Sequence, residues 1–238
     1  MKKSFAISVL TLMSSVLLTE CTCNPIDVIE SVENKIYKND IHGIDISHHQ
    51  GTVNWNHVAD DTMKIRFVFI KSTEGATHKD SRFKYNVMNA YKSGIETGAY
   101  HFFRMTSSPE RQFANFKRTI EPYMEHITLL PVLDVETFDG KTQKQVKTAV
   151  EKFVRLVHDE WGVYPIIYGP DIAPSRMMSE YVNKNCLFWL GYQPGHIKRP
   201  KHDIHQYTCH GTVKGIKGGV DINRLHDNIT LDTIKWNR

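Results

Sequence analysis

From Ile41 onward the chain alternates two kinds of apolar pattern. Short dense runs recur at HGIDIS (42–47), IRFVFIK (65–71), ETGAYHFF (96–103), LLPVLDVE (129–136), YPIIYG (164–169), CLFWLGY (186–192), DIHQYT (203–208) and GVDIN (219–223). Their length and their content of Val, Ile, Phe and Tyr predict strands. Between several of them lie segments of helical period. In SRFKYNVMNAYKSG (81–94), Phe83, Val87 and Tyr91 are four apart and Gly94 is placed as a stop. In SPERQFANFKRTIEPYM (108–124), Ser108 is the cap and Pro109 fits the first turn. In TQKQVKTAVEKFVRLVHDEWG (142–162), Val146, Val150, Phe153 and Val157 make a stripe that Gly162 ends. The alternation predicts an α/β fold with a parallel sheet and right-handed crossovers, closed by about eight strands into a single irregular (β/α) barrel, TIM-barrel-like. The last two or three connections are too short for full helices.

One run departs from the pattern. LLPVLDVETFDG (129–140) opens as a strand buried on both faces, yet it carries Asp134 and Glu136. Positions i and i+2 of a strand point the same way, about 7 Å apart. Two carboxylates are therefore aimed at one spot. In a parallel α/β barrel the strand ends gather at one mouth, and the polar residues closing the other runs belong there too. These are Asp45, Ser47, His49 and Gln50; Lys71 and Glu74; Tyr100 and His101; Tyr168; Trp189 and Tyr192; Gln206 and Tyr207; and Asp221 with Asn223. Acids mixed with aromatics at one mouth match a carbohydrate site, with carboxylates for the chemistry and rings for sugar faces. Glycoside hydrolysis needs an acid for the leaving oxygen and a second group for the developing positive charge. Two close carboxylates push each other's pKa apart, so that one stays protonated.

Composition narrows the class. The chain of 238 residues is 40% hydrophobic and 24% charged, with a formal charge of +4, which fits a globular protein with one sizeable core. The charge is too small, and too scattered, for a nucleic-acid partner. The first residues add export: Lys2 and Lys3 precede an apolar-rich stretch from Phe5 to Leu18, shorter than a membrane span. Residues 1–20 read as a signal peptide. LTEC resembles a lipoprotein processing box at Cys21, with Glu20 where a small residue normally stands; lipidation of Cys21 and ordinary cleavage nearby are the two alternatives. Residues 21–40 form a polar tether and 41–238 the barrel. The expected location is the exported bacterial cell envelope, lipid-anchored or periplasmic, or the medium. Cys186 and Cys209, in an exported chain, are candidates for a disulfide.

DISHHQG, FVFIKSTEG, GAYHFF, PVLDVE, WLGY, HQYT and GIKGGVDINR, in this order, resemble the signature blocks of the glycoside hydrolase family 25 lysozymes (Chalaropsis-type muramidases), over residues 41 to 235. The resemblance implies a modified α/β barrel that cleaves the β-1,4 bond between N-acetylmuramic acid and N-acetylglucosamine in peptidoglycan. It also implies roles. Glu136 matches the general acid/base, and Asp134 the carboxylate that orients the substrate's 2-acetamido group for neighbouring-group attack. Asp45 and Asp221 match the other two acids lining the site. Tyr100, Tyr168 and Gln206 match cleft positions where sugar contacts are expected, and Trp189 and Tyr192 are further candidates. His205 stands where the family commonly carries Trp.

Neither a metal nor any cofactor is expected: the thirteen histidines include no HExxH, and His48 and His49 would alternate faces on an extended segment. Lys71 and Glu74 read as a structural pair at the rim, and Phe67, Phe69, Phe102 and Phe103 as packing. A chitinase-like family 18 enzyme would need acids where this chain has Leu129 and Val132. A non-catalytic wall-binding barrel is the alternative from another class, but it would not require four acids at one mouth. The expected partners are peptidoglycan glycan strands, with membrane attachment only through Cys21, and the expected state is a monomer.

Overall fold

The computed structural model describes residues 40–169, 177–191 and 202–238. The expected signal peptide, the expected tether up to Asn39 and the site candidate Tyr192 lie outside the described residues. Among the described residues nine strands form one sheet: β1 (His42–Ile46), β2 (Phe67–Glu74), β3 (His78–Lys79), β4 (Glu96–Phe102), β5 (Val132–Asp134), β6 (Ile166–Gly169), β7 (Phe188–Leu190), β8 (Ile204–Gly211) and β9 (Val220–Leu225). β1 pairs with both β2 and β9, so eight strands close a barrel and the short β3 hangs from the edge of β2. All eight expected runs form strands. The α/β barrel stands as expected, with one correction to its parallel sheet.

The correction is the direction of β9. It runs antiparallel to both β8 and β1, whereas the pairs from β1 round to β8 are parallel. The reason is the connection. Residues 212–219 are too few for a parallel crossover, which takes a dozen or more, and suit a hairpin return. The fourth expected strand is also shorter than 129–136. Pro131 has no N–H to give a ladder, so regular pairing starts at Val132, while Leu129 makes an isolated bridge with Lys235.

Among the described residues the α-helices are α1 (Trp55–Ala59), α2 (Phe83–Lys92), α3 (Pro109–Ile120), α4 (Gln143–Trp161) and α5 (Glu180–Asn185). Ser108 caps α3 through the Arg111 N–H, and Thr142 and Gln145 cap α4 reciprocally, with Gly162 left-handed at its end. Strand alternation divides the core in two. Phe67, Phe69, Val132, Ile166, Trp189, Ile204 and Leu225 fill the barrel lumen. Val68, Ile70, Leu133, Val135, Ile167 and Ile222 face outward against the helices, where the α4 stripe of Val146, Val150, Phe153 and Val157 meets them. The two lumen phenylalanines need room. A Cβ on Gly43 would lie 2.3 Å from the Phe67 ring, and one on Gly98 2.5 Å from the Phe69 ring.

His101 faces outward beside Tyr100. It is fully buried, with Nδ1 2.7 Å from Thr73 Oγ1 and Nε2 3.1 Å from Gln112 Oε1, and stacks on Phe153 at 5.3 Å. Burial lowers its pKa to about 4. An unfolded histidine titrates near 6.5, so the unfolded chain takes up the proton first. Stability from the neutral ring is full above pH ~6.5 and falls toward pH ~4, by a loss on the order of 3 kcal/mol. Urea midpoints of the protein and of His101→Gln, compared at pH 7 and pH 4.5, should show a shallower acid loss in the variant; equal losses would remove His101 as the cause.

Candidate active site

The lumen side chains stop at a polar layer. Above Trp189 opens a cavity of about 320 Å³ lined by Asp45, Ser47, His49, Gln50, Lys71, Tyr100, Phe102, Asp134, Glu136, Tyr168, Gln206 and Asp221 among others. Each residue arrives by the period of its strand. Lys71 stands two places after Phe69, Tyr100 two after Gly98, Asp134 two after Val132 and Tyr168 two after Ile166. Asp221 reaches the same mouth because β9 runs down from it, and it pairs directly with Asp45 across the β1–β9 seam. It opens its strand rather than ending it. After β1, Ser47 accepts from the His49 N–H at 3.2 Å and the Gln50 side chain from the Ser47 N–H at 2.9 Å. This capping box turns the chain so that His49 and Gln50 enter the wall. His48 and His49 thus sit on a 3-10 turn, not an extended segment. Their rings lie 4.0 Å apart, and His48 pairs with the buried Asp80 at 2.8 Å.

A chain of hydrogen bonds ties the floor to the acids. Trp189 Nε1 donates to Asn223 Oδ1 at 2.9 Å, and Asn223 Nδ2 donates to Asp45 Oδ2 at 2.8 Å. Gln206 Nε2 donates to the same oxygen at 3.2 Å and accepts from the Tyr168 hydroxyl at 3.0 Å. Burial raises the Asp45 pKa, and the bonds from Asn223 and Gln206 offset part of that rise. Asp134 is buried, and its Oδ1 has no hydrogen-bond partner among the described residues. Burial, with the negative charges of Glu136 and Asp45, holds its carboxyl well above the usual range. Glu136 lies just past the end of β5. Its side chain is open to water, while the concave walls around it displace enough solvent to raise its pKa as well. The Tyr168 hydroxyl opposes that rise. The arrangement keeps two neighbouring carboxyls proton-hungry, one sealed and one accessible.

Eight of the nine expected site residues line this cavity, and Tyr192 lies outside the described residues. Tyr207 and His101 do not reach it. Trp189 forms the floor, 2% exposed, wedged between Phe69 at 4.9 Å and Tyr168 at 4.7 Å. Lys71 and Glu74 pair at 2.8 Å as expected, and Lys71 lines the cavity as well. Phe102 is in the wall rather than the core, with the Lys71 ammonium 4.7 Å from its ring centre. Its spacing of two from Tyr100 was the available signal. Asn223 is the residue whose part the sequence least revealed. Cys186 carries a free thiol that burial pushes up to about 12, so the candidate bridge to Cys209 is not formed.

A closed α/β barrel with four carboxylates and two tyrosines at one mouth has the build of a glycoside hydrolase. The chain belongs to glycosyl hydrolases family 25, whose model matches residues 44–216. It is 50% identical over 201 residues to lysozyme M1 of Streptomyces globisporus, covering 78% of this chain and 68% of that protein. The fold resembles a bacterial lysozyme of Streptomyces coelicolor, with TM-score 0.66 and 27% identity over 82% of this chain and 94% of the other. It likewise resembles a family 25 glycosyl hydrolase of Bacillus anthracis, with TM-score 0.68 and 26% identity over 80% and 91%.

The Tyr168 hydroxyl has one proton to give and stands between Gln206 and Glu136. Tyr168→Phe should therefore raise the Glu136 pKa further, read from carboxyl-carbon NMR titration. A Glu136 midpoint that does not move would show that the hydroxyl serves Gln206 alone.

Proposed function

We propose that this cleft is the active centre of a lysozyme that cuts the β-1,4 bond between N-acetylmuramic acid and N-acetylglucosamine in peptidoglycan. The observation that carries the reading is the Asp134–Glu136 pair: one carboxyl buried with an unused acceptor oxygen, the other raised in pKa and open to a ligand. The pair binds a proton tightly and has two places to put it. A substrate acetamide N–H donating to Asp134 Oδ1 favours the charged form of Asp134 and leaves the proton on Glu136. Glu136 then protonates the glycosidic oxygen as the bond to the anomeric carbon breaks. The acetamide carbonyl, oriented by Asp134, attacks that carbon from the opposite side. Water activated by the now ionised Glu136 opens the resulting ring, and two inversions give net retention. Asp45 and Asp221 supply negative charge beside the developing oxocarbenium ion. Tyr100, Tyr168 and Gln206 contact the sugar, while Trp189 acts from below by holding Asn223 and, through it, Asp45.

The enzyme is proposed to act outside the cytoplasm, with residues 1–20 removed and Cys21 as the point of lipid attachment. The mass of the mature N-terminal peptide decides this: a diacylglyceryl adduct on Cys21 supports the anchor, and an unmodified new N-terminus refutes it.

Glu136→Gln should lower turnover of purified peptidoglycan by about 10²–10⁴-fold, the usual contribution of a general acid. Asp134→Asn should also cut the rate heavily, with melting temperatures close to the parent in both. Borohydride reduction of the products identifies the bond. Reduced muramic acid, absent with Glu136→Gln, is the expected result; reduced glucosamine would make the enzyme a glucosaminidase, and no new reducing ends would leave a binding protein.

A further inference from the structure

Glu136 lies beyond the last hydrogen-bonded residue of β5, and two separate anchors flank it. Upstream, the Val135 N–H donates to the Tyr168 carbonyl at 2.9 Å. Downstream the chain passes through Asp139, whose φ of +44° places a non-glycine residue in the left-handed region. Such a conformation persists where the surroundings over-determine it. Here Arg104 Nε donates to Asp139 Oδ2 at 3.1 Å and Nη2 to Oδ1 at 2.7 Å, both prongs of the guanidinium on one carboxylate. The Met105 N–H adds a third bond to Oδ2 at 2.8 Å. These bonds hold the Asp139 carboxyl below its ordinary pKa, the Arg104 hydrogen bond foremost.

Arg104 is itself held through both its backbone and its side chain. The buried Gln112 side chain accepts from its N–H at 2.9 Å and donates to its carbonyl at 2.6 Å. Its remaining nitrogen, Nη1, donates to Glu74 Oε1 at 3.0 Å, and Glu74 Oε2 accepts from Lys71 Nζ at 2.8 Å. Lys71 lines the cleft. Four alternating charges thus run from the cleft wall on β2 to the loop that leaves Glu136. Partly exposed ion pairs contribute little stability. A bidentate fork instead fixes direction and distance.

The geometry points to Arg104 and Asp139 as positioning residues, a latch that fixes the loop leaving Glu136 and thereby the place of its carboxyl over the cleft. The inference rests on Glu136 being the acid. Neither latch residue lines the cavity; a displacement of about 1 Å in the group they position is enough to cost up to about 10²-fold in rate.

The test compares the parent, Glu136→Gln, Asp139→Asn, Arg104→Lys and the Arg104→Lys/Asp139→Asn double variant on soluble peptidoglycan glycan fragments, reading kcat, KM and Tm. Asp139→Asn keeps the shape and removes a charge; Arg104→Lys keeps the charge and removes the fork. Each single variant should lose about tenfold or more in kcat with KM nearly unchanged. The double should be no worse than the poorer single, because both break one contact. Full kcat in both singles, losses that multiply in the double, or kcat losses matched by falling Tm in both variants would overturn the latch. If Glu136→Gln keeps the parent's kcat, the acid assignment and the latch fall together. A dead Glu136→Gln beside fully active latch variants removes the latch alone.

Discussion

The polar mouth of this barrel exists because the lumen below it is solid. Phe67 and Phe69 fill the space that glycine leaves at Gly43 and Gly98, and Trp189 closes the stack against Phe69. A plug of this kind keeps water out of the lower barrel and sets the level at which inward side chains turn polar. It also has a polar upper edge. The Trp189 N–H holds Asn223, and Asn223 holds Asp45, so the packing of the core and the placing of an acid are one continuous structure. Loosening the plug would move the floor on which the carboxylates depend.

What the floor supports is a deliberate imbalance of solvation. Asp45 sits in a socket of amide donors, while Asp134 is sealed in with an oxygen that no group among the described residues satisfies. Glu136 shares their negative field but keeps contact with water. Buried carboxylates crowded together cost folding free energy, since each charge must leave water and face its neighbours. The parallel ladder, the lumen core and the helix layer supply the rigidity that holds them there.

Much of this was legible in the sequence, for identifiable reasons. Alternation in FVFIK separates Phe67, Phe69 and Lys71 from Val68 and Ile70, and the same rule puts Asp134 and Glu136 at one mouth. The α4 stripe and the Gly162 that ends it could be read directly, whereas the Thr142–Gln145 capping box shows only in the folded chain. Strand direction could not, because apolar period carries no sense of direction; only the shortness of residues 212–219 betrayed β9. Phe102 reads as packing by its composition alone, yet its spacing from Tyr100 sets it on the cleft side. The partnership of Arg104 with Asp139 spans 35 positions and leaves no local pattern, so only the folded chain reveals it. His48 and His49 misled because a capping box is a local contest between side chain and backbone, and it overrode the extended reading.

The seam between β1 and β9 has a consequence in time. Asp45 and the asparagine that holds it are separated by 178 positions, and the facing Asp221 arrives on the same late strand. A chain emerging in order therefore carries Asp134 and Glu136 long before it owns a complete mouth. Contacts this distant are the slow ones to form. A nascent or partly threaded polypeptide therefore leaves Asp45 without the asparagine that holds it until its last barrel strand has docked beside its first.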